Sequence, residues 1–197
     1  MNKTIMVTGA TAGFGRAIAI RFAKNGYNII ITGRRKERLA ELELELLSNK
    51  EINVLSLNFD VRNKNEVEKV ISSLPDDWKK IDILVNNAGL AVGLGHINSG
   101  DTDDWDRMID TNVKGLLYVT RAVAPFMVAR NTGHIFNIGS IAGKDPYENG
   151  NVYCASKSAV DSLSKSMRID LLKNNIKVTH IAPGMAETEF SVVNKLR

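Results

Sequence analysis

Ile5-Met6-Val7-Thr8-Gly9-Ala10-Thr11-Ala12-Gly13-Phe14-Gly15-Arg16 changes character twice within one short stretch. Three consecutive apolar residues read as a strand covered on both faces, and the glycines that follow separate it from a helix-period segment over residues 15–24. A glycine-rich strand-to-helix turn lets the backbone approach a pyrophosphate while free N–H groups at the helix start supply partial positive charge. In that arrangement Gly9 makes the tight turn, Gly13 permits close approach, and Gly15 lets the helix pack against the sheet. Thr11 and Phe14 lie in the same turn and join the candidate contacts. A turn with no ligand has the same composition, so the surrounding elements must decide.

Outward from this turn, short apolar β-rich runs recur at residues 5–8, 28–32, 53–58, 81–86, 134–138 and 177–181. Helix-period stretches alternate with them over 15–24, 36–47, 64–73, 112–130 and 152–174, with Asn63 as an N-cap and Gly26 just past the first helix. Sustained strand–helix alternation predicts a doubly wound parallel sheet with helices on both faces, an α/β fold of the Rossmann type. Nothing in the composition marks a linker, so residues 1–197 read as one domain. Two of the helices carry more apolar residues than one sheet-facing stripe needs. Val113, Leu116, Leu117, Val119, Val123 and Met127 spread around the first, and Val160, Leu163, Met167, Leu171 and Leu172 lie on the second, which implies a thick core or burial against another subunit.

With 44% apolar and 24% charged residues, the 197-residue chain has ordinary globular composition. Its net charge of +4 is spread along the sequence, which disfavours a dedicated nucleic-acid arm. Cys154 is the single cysteine, so no internal disulfide can form and a reducing, cytoplasmic setting is expected. No apolar run approaches the roughly 20 residues that span a bilayer, and Met1-Asn2-Lys3 runs straight into Ile5 rather than into a secretory leader. His96, His134 and His180 stand apart in sequence without metal-ligand spacing.

The second strand ends in Thr32-Gly33-Arg34-Arg35-Lys36, with no acidic residue. In dinucleotide folds an acid at this place binds the ribose hydroxyls, whereas arginine accommodates a 2′-phosphate. Arg34 and Arg35 in a carboxylate-free pocket therefore favour NADP over NAD. Further along, Tyr153 and Lys157 stand four apart in a helical stretch and share one face. A free tyrosine titrates near pH 10, and bringing it to neutrality takes about 4 kcal/mol at about 1.36 kcal/mol per pH unit. One positive charge about 4 Å away supplies roughly that at an effective dielectric of about 20. Lys157 is accordingly expected to tune Tyr153 as a general acid or base, with Ser140 holding the substrate oxygen.

Thr8–Gly15, Asn86-Asn87-Ala88-Gly89, Ser140 and the Tyr153…Lys157 pair occur in the order of the TGxxxGxG, NNAG, serine and YxxxK motifs. The chain resembles the short-chain dehydrogenase/reductase family over nearly its whole length. Residues 104–121, 147–153 and 183–191 look most like the NADP-dependent 3-hydroxy acid (serine or allo-threonine) dehydrogenases. The resemblance implies that Lys157 also binds the nicotinamide ribose and that Asn112 steadies a water-linked proton route to it. It further implies that Asp60 contacts the adenine, that Val61 belongs to the cofactor site, that Asn87, Ala88 and Gly89 line the cofactor groove, and that Pro183, Gly184 and Thr188 flank the nicotinamide.

The expected activity is hydride transfer between NADP and the hydroxyl-bearing carbon of a small 3-hydroxy acid such as serine. Two alternatives stay open: a carbonyl reductase acting on a neutral ketone, and an NADP-binding sensor without turnover. The family also implies a homotetramer, and a seventh strand that is expected to be missing from this chain. Lys144 and Arg197 are candidates for gripping a substrate carboxylate. Neither nucleic acid nor membrane is an expected partner.

Overall fold

The structure, a computed structural model, describes residues 2–93 and 95–186. Its strands are β1 (Thr4–Val7), β2 (Asn28–Gly33), β3 (Val54–Asn58), β4 (Ile81–Asn86), β5 (Gly133–Ile138) and β6 (Ile176–Ile181). They form one parallel sheet in the order β3-β2-β1-β4-β5-β6. Every strand lies within one residue of its expected ends. The order reverses between β1 and β4, and in open parallel sheets the crevice at such a switch point is where ligands bind.

The helices are α1 (Gly13–Ala23), α2 (Lys36–Leu46), α3 (Lys64–Ser72), α4 (Thr102–Ile109), α5 (Leu116–Arg130) and α6 (Asn151–Leu171). Strand side chains alternate between two cores. Ile5, Val7, Ile29 and Ile31 pack with Ala19 and Ala23 of α1 and Leu39, Leu42 and Leu46 of α2. Met6, Ile30, Leu84 and Ile135 face the other way, onto Val67 and Ile71 of α3, Val119 and Val123 of α5, and Val160 of α6. The side-chain period of two in a strand divides each apolar run between the faces, which is why the runs read as continuous.

Local signals mark several ends. Asn63 caps α3 by accepting from Glu66 N at 3.2 Å, and Gly26 adopts φ +79° just beyond α1. The sequence pattern predicts no helix at α4 and begins the next at Asn112. The chain instead continues from α4 through a π-helical turn, Asp110–Gly115, directly into α5. Trp105, Met108 and Ile109 form an apolar stripe on α4, but it covers a single turn of an eight-residue helix and only Met108 is fully buried. The cues it does carry are an Asp101 N-cap, Asp103 and Asp104 in the first turn and Arg107 in the last.

The surplus apolar residues of the two long helices separate. Leu116, Val119, Val123, Met127, Val160 and Met167 are core. Leu117 and Val128 of α5 and Ile169 of α6 stay exposed, as does Leu172 just after α6.

Candidate active site

The switch point is built from the ends of β1 and β4, joined by side chains. Thr8 Oγ1 donates to Val85 O at 3.3 Å and accepts from Asn87 N and Ala88 N, both at 3.0 Å. Asn87 Nδ2 donates to Thr8 O (2.9 Å) and Gly9 O (3.2 Å), which fixes the turn against β4. Gly9 and Gly13 sit at φ +63° and +51°, where a side chain would be strained. A Cβ on Gly15 would run into the Gly9 carbonyl and Asn87 Nδ2, so Gly15 seats α1 on the turn itself. The start of α1 has no acidic residue in its first turn and no side-chain cap, and its first N–H groups are therefore available to an anion. Phe14 stands beside them, 40% exposed.

At the far end of the groove, Arg35 donates to Thr11 Oγ1 from Nη2 at 2.8 Å and from Nε at 3.1 Å. Arg34 Nη1 lies 3.6 Å from Asp60 Oδ2. The pocket is thus not carboxylate-free, as the sequence around Thr32–Lys36 suggested. Gly33 of β2 pairs with Asn58 of β3, and two residues later the chain carries Asp60 beside the arginines. Burial pushes the Asp60 carboxyl up, but hydrogen bonds and charge from Arg62, with Arg34 adding to them, hold it below its ordinary value. The Val61 side chain belongs to the core. Gly115 packs against it, with space for no Cβ (2.7 Å to Val61 Cγ2).

The other end is buried and closely bonded. Asn112, in the π turn, accepts from Leu90 N at 2.8 Å and donates to Leu90 O and Ser156 Oγ, each at 2.9 Å. A Cβ on Gly89 would lie 3.3 Å from Asn112 Oδ1 and 3.5 Å from Lys157 Nζ, so a bare glycine lets the strand end come close to both side chains. Lys157 is 6% exposed and donates to Ile138 O at 3.0 Å. Burial lowers its pKa from 10.5 to about 8. Its Nζ stands 5.8 Å from the centre of the Tyr153 ring. Ser140 Oγ accepts from Ala142 N at 3.2 Å, which leaves its hydrogen for the bond it shares with Tyr153.

One expectation is reversed. Burial raises the Tyr153 pKa above its ordinary value, and the opposing effect comes from the Ser140 hydrogen bond rather than from Lys157. Nearly 6 Å from the ring and itself desolvated, the ammonium does not outweigh the burial of the phenol. Tyr153 therefore keeps its proton through neutral pH in this structure.

Pro183 O accepts from Ile141 N at 3.0 Å, and Gly139 N donates to Ile181 O at 2.7 Å. These bonds stitch the Ser140 loop to the segment holding Pro183 and Gly184. Thr188 and Arg197 lie outside the described residues, and Lys144 lies near enough to Asp161 and His180 to act on both. Sequence reasoning missed the Thr8 and Asn87 side chains as braces, Ser156 as the partner of Asn112, and Arg62 as the partner of Asp60. Strand register would have indicated the last, since Asp60 must follow the pairing of β2 with β3. His180 is not isolated in space, because its Nδ1 lies 3.3 Å from Asp161 Oδ1. Among the described residues no three His, Cys, Asp or Glu side chains converge as metal ligands.

Comparison with known proteins bears on this geometry. The family model for short chain dehydrogenases matches residues 3–195. An NADP-dependent 3-hydroxy acid dehydrogenase YdfG of Salmonella typhi is 54% identical over 190 residues, 96% of this chain and 75% of its own. Sulfoacetaldehyde reductase 2 of Chromohalobacter salexigens is 46% identical over 194 residues, 98% of this chain and 76% of its own. The closed form of a serine dehydrogenase complexed with NADP+ superposes with a TM-score of 0.91 at 52% identity, covering 98% of this chain and 76% of that one. The chain belongs to the short-chain dehydrogenase family.

Proposed function

We propose that the protein is an NADP-dependent oxidoreductase that moves a hydride between nicotinamide and the hydroxyl-bearing carbon of a small 3-hydroxy acid such as serine. The carrying observation is Tyr153 hydrogen-bonded to Ser140, with buried Lys157 one helical turn away, at the end of a groove that begins at the glycine turn.

The residues present fit the cofactor. Gly9 and Gly13 adopt conformations that spare the turn a side chain, the α1 N–H groups suit a pyrophosphate, and Arg34 and Arg35 suit a 2′-phosphate. Gly89 has no side chain to stand between the strand end and Lys157 Nζ, which would bind a ribose hydroxyl there. When bound, NADP supplies the hydride donor or acceptor and, in its oxidised form, a positive charge. In reduction, Tyr153 Oη gives its proton to the substrate oxygen while the Ser140 hydroxyl orients that oxygen. In oxidation Tyr153 receives the proton of the substrate hydroxyl, and the phenolate that must first exist is stabilised by the Ser140 hydrogen bond and by the positive charge that the oxidised cofactor would supply. Asn112 acts by holding Leu90 and Ser156, and through them the wall beside Lys157.

Assays of NADP reduction with serine and 3-hydroxypropanoate, and of the same reactions with NAD, test the reading directly. Turnover with NADP is expected in the wild type and loss of it in Tyr153→Phe; unchanged turnover in that variant overturns the assignment. A second reading, reduction of a neutral ketone, is favoured by one observation. The small cavity beside Tyr153 is lined by Ala91, Val92, Gly93, Met108, Tyr147, Asn149, Gly150 and Asn151, with no cationic side chain among these described residues. A panel of matched acids and neutral alcohols separates the two.

The proposal includes a homotetramer, supported by the exposed apolar residues Leu117 and Val128 on α5 and Ile169 on α6. A monomeric mass in solution would remove that part. It also includes a cytoplasmic location, supported by the unpaired thiol of Cys154. Among the described residues no helix is long and apolar enough to cross a membrane.

A further inference from the structure

Asp60 places a carboxylate at the very arginines that suit a 2′-phosphate, and the charge arithmetic of the site turns on what holds it. Arg62 holds both of its oxygens. Asp60 Oδ1 accepts from Arg62 N at 3.0 Å and from Arg62 Nε at 3.1 Å; Oδ2 accepts from Arg62 Nε at 3.0 Å and Nη2 at 2.7 Å. Arg34 reaches the same Oδ2 only at 3.6 Å, beyond good hydrogen-bond length, and its side chain is 54% exposed. Glu66 Oε2 accepts from Asp60 N at 3.3 Å, and Asp110 lies near enough to act on Arg62, so this corner holds acids as well as arginines.

We propose that Arg62 is a positioning residue for cofactor selection: by occupying the Asp60 carboxylate with a two-pronged ion pair, it leaves Arg34 free to bind the 2′-phosphate. Without it, the cation left to Asp60 among the described residues is Arg34, and a carboxylate on that guanidinium would repel an incoming phosphate as well as compete with it. Nothing in the Arg34-Arg35 sequence shows this, because the balancing pair arrives from the end of β3. The inference rests on the reading of the groove as an NADP site.

The test is calorimetric binding of adenosine 2′,5′-bisphosphate and of 5′-AMP to the full chain, in the wild type, Arg62→Gln, Arg62→Lys, Asp60→Asn and the Arg62→Gln/Asp60→Asn double variant. Arg62→Gln is expected to weaken the bisphosphate about tenfold and 5′-AMP less than about twofold, as for loss of a charge partner that acts on one phosphate. Arg62→Lys, which keeps the charge, is expected to hold the preference to within about threefold. In the Asp60→Asn background the Arg62→Gln effect is expected to vanish, because no carboxylate remains to capture Arg34. Equal losses for both ligands in Arg62→Gln, or a loss that persists in the Asp60→Asn background, would overturn the role of Arg62. A wild type that binds both ligands equally would instead overturn the NADP reading beneath it.

Discussion

The two ends of the groove are held by different physics. At the Arg34 end the bonds are ion pairs between half-exposed side chains, with Arg62, Asp60 and Arg34 all reached by solvent. At the Lys157 end the bonds are mostly neutral and buried: Asn112 to Leu90 and Ser156, Ser156 to Tyr153 O, and an ammonium with a backbone carbonyl as partner. Exposed charges can exchange a protein partner for a ligand at little cost, whereas a buried hydrogen bond must stay made. The first end is suited to choosing a cofactor and the second to holding a reactive geometry fixed.

The sharpest way to break this contrast is at the phenol. Tyr153→Phe is expected to lower turnover by about 1,000-fold, within the range for a lost general acid, while NADP affinity, measured by fluorescence titration, stays within about twofold of wild type. Because burial raises the Tyr153 pKa, its protonated form persists through neutral pH. Reduction should therefore hold through neutrality and fall in alkali, while oxidation rises with pH, as initial rates in each direction will show.

Asn112→Ala should cost about 3 kcal/mol in chemical denaturation, because it strands the Leu90 N–H and C=O in a buried place. A cost under about 1 kcal/mol would put the buried end on the same footing as the exposed one.

Lys157→Met turns the comparison on stability. The lysine pKa falls from 10.5 to about 8 on folding, so the unfolded chain binds the extra proton between those values. Stability should therefore rise with pH from about 8 to about 10.5, and the burden below pH 8 amounts to as much as about 3 kcal/mol. Removing the ammonium is expected to abolish that rise and to make the inactive variant more stable at neutral pH, by about 2 kcal/mol in thermal or chemical unfolding. An unchanged alkaline profile would show the charge to be better solvated than its burial indicates.

The smallest effect belongs to the exposed end. Arg34→Ala should weaken NADP about tenfold, with a lesser effect on NAD and a loss that shrinks as salt is raised. A salt-independent loss would place Arg34 with the buried residues instead.

Much of this architecture is legible in the amino-acid sequence. Apolar runs locate the six strands of the described residues, most plainly the central β1, β2 and β4, whose residues are covered on both faces, and the glycine turn announces itself by composition. What stays hidden has a common cause. Helix α4 is eight residues long and its Trp105, Met108, Ile109 stripe covers a single turn, too short a repeat to mark a helix by itself. The π turn that carries Asn112 belongs to backbone winding, which side-chain spacing does not encode. Asp60 beside Arg34 depends on the pairing of two strands, and the raised Tyr153 pKa on how much protein encloses the ring. The Tyr153–Lys157 spacing puts the two side chains on one face of the helix, yet an i, i+4 relation does not fix the distance between their working ends.

The bracing of the glycine turn by Asn87 reaches across nearly eighty residues of chain. An N-terminal fragment ending before β4 would contain every glycine of the nucleotide turn and still lack what shapes it. The nucleotide site is therefore a late product of assembly, completed only when the middle of the polypeptide docks beside its beginning, and a nascent chain should gain affinity for nucleotide abruptly as that strand emerges.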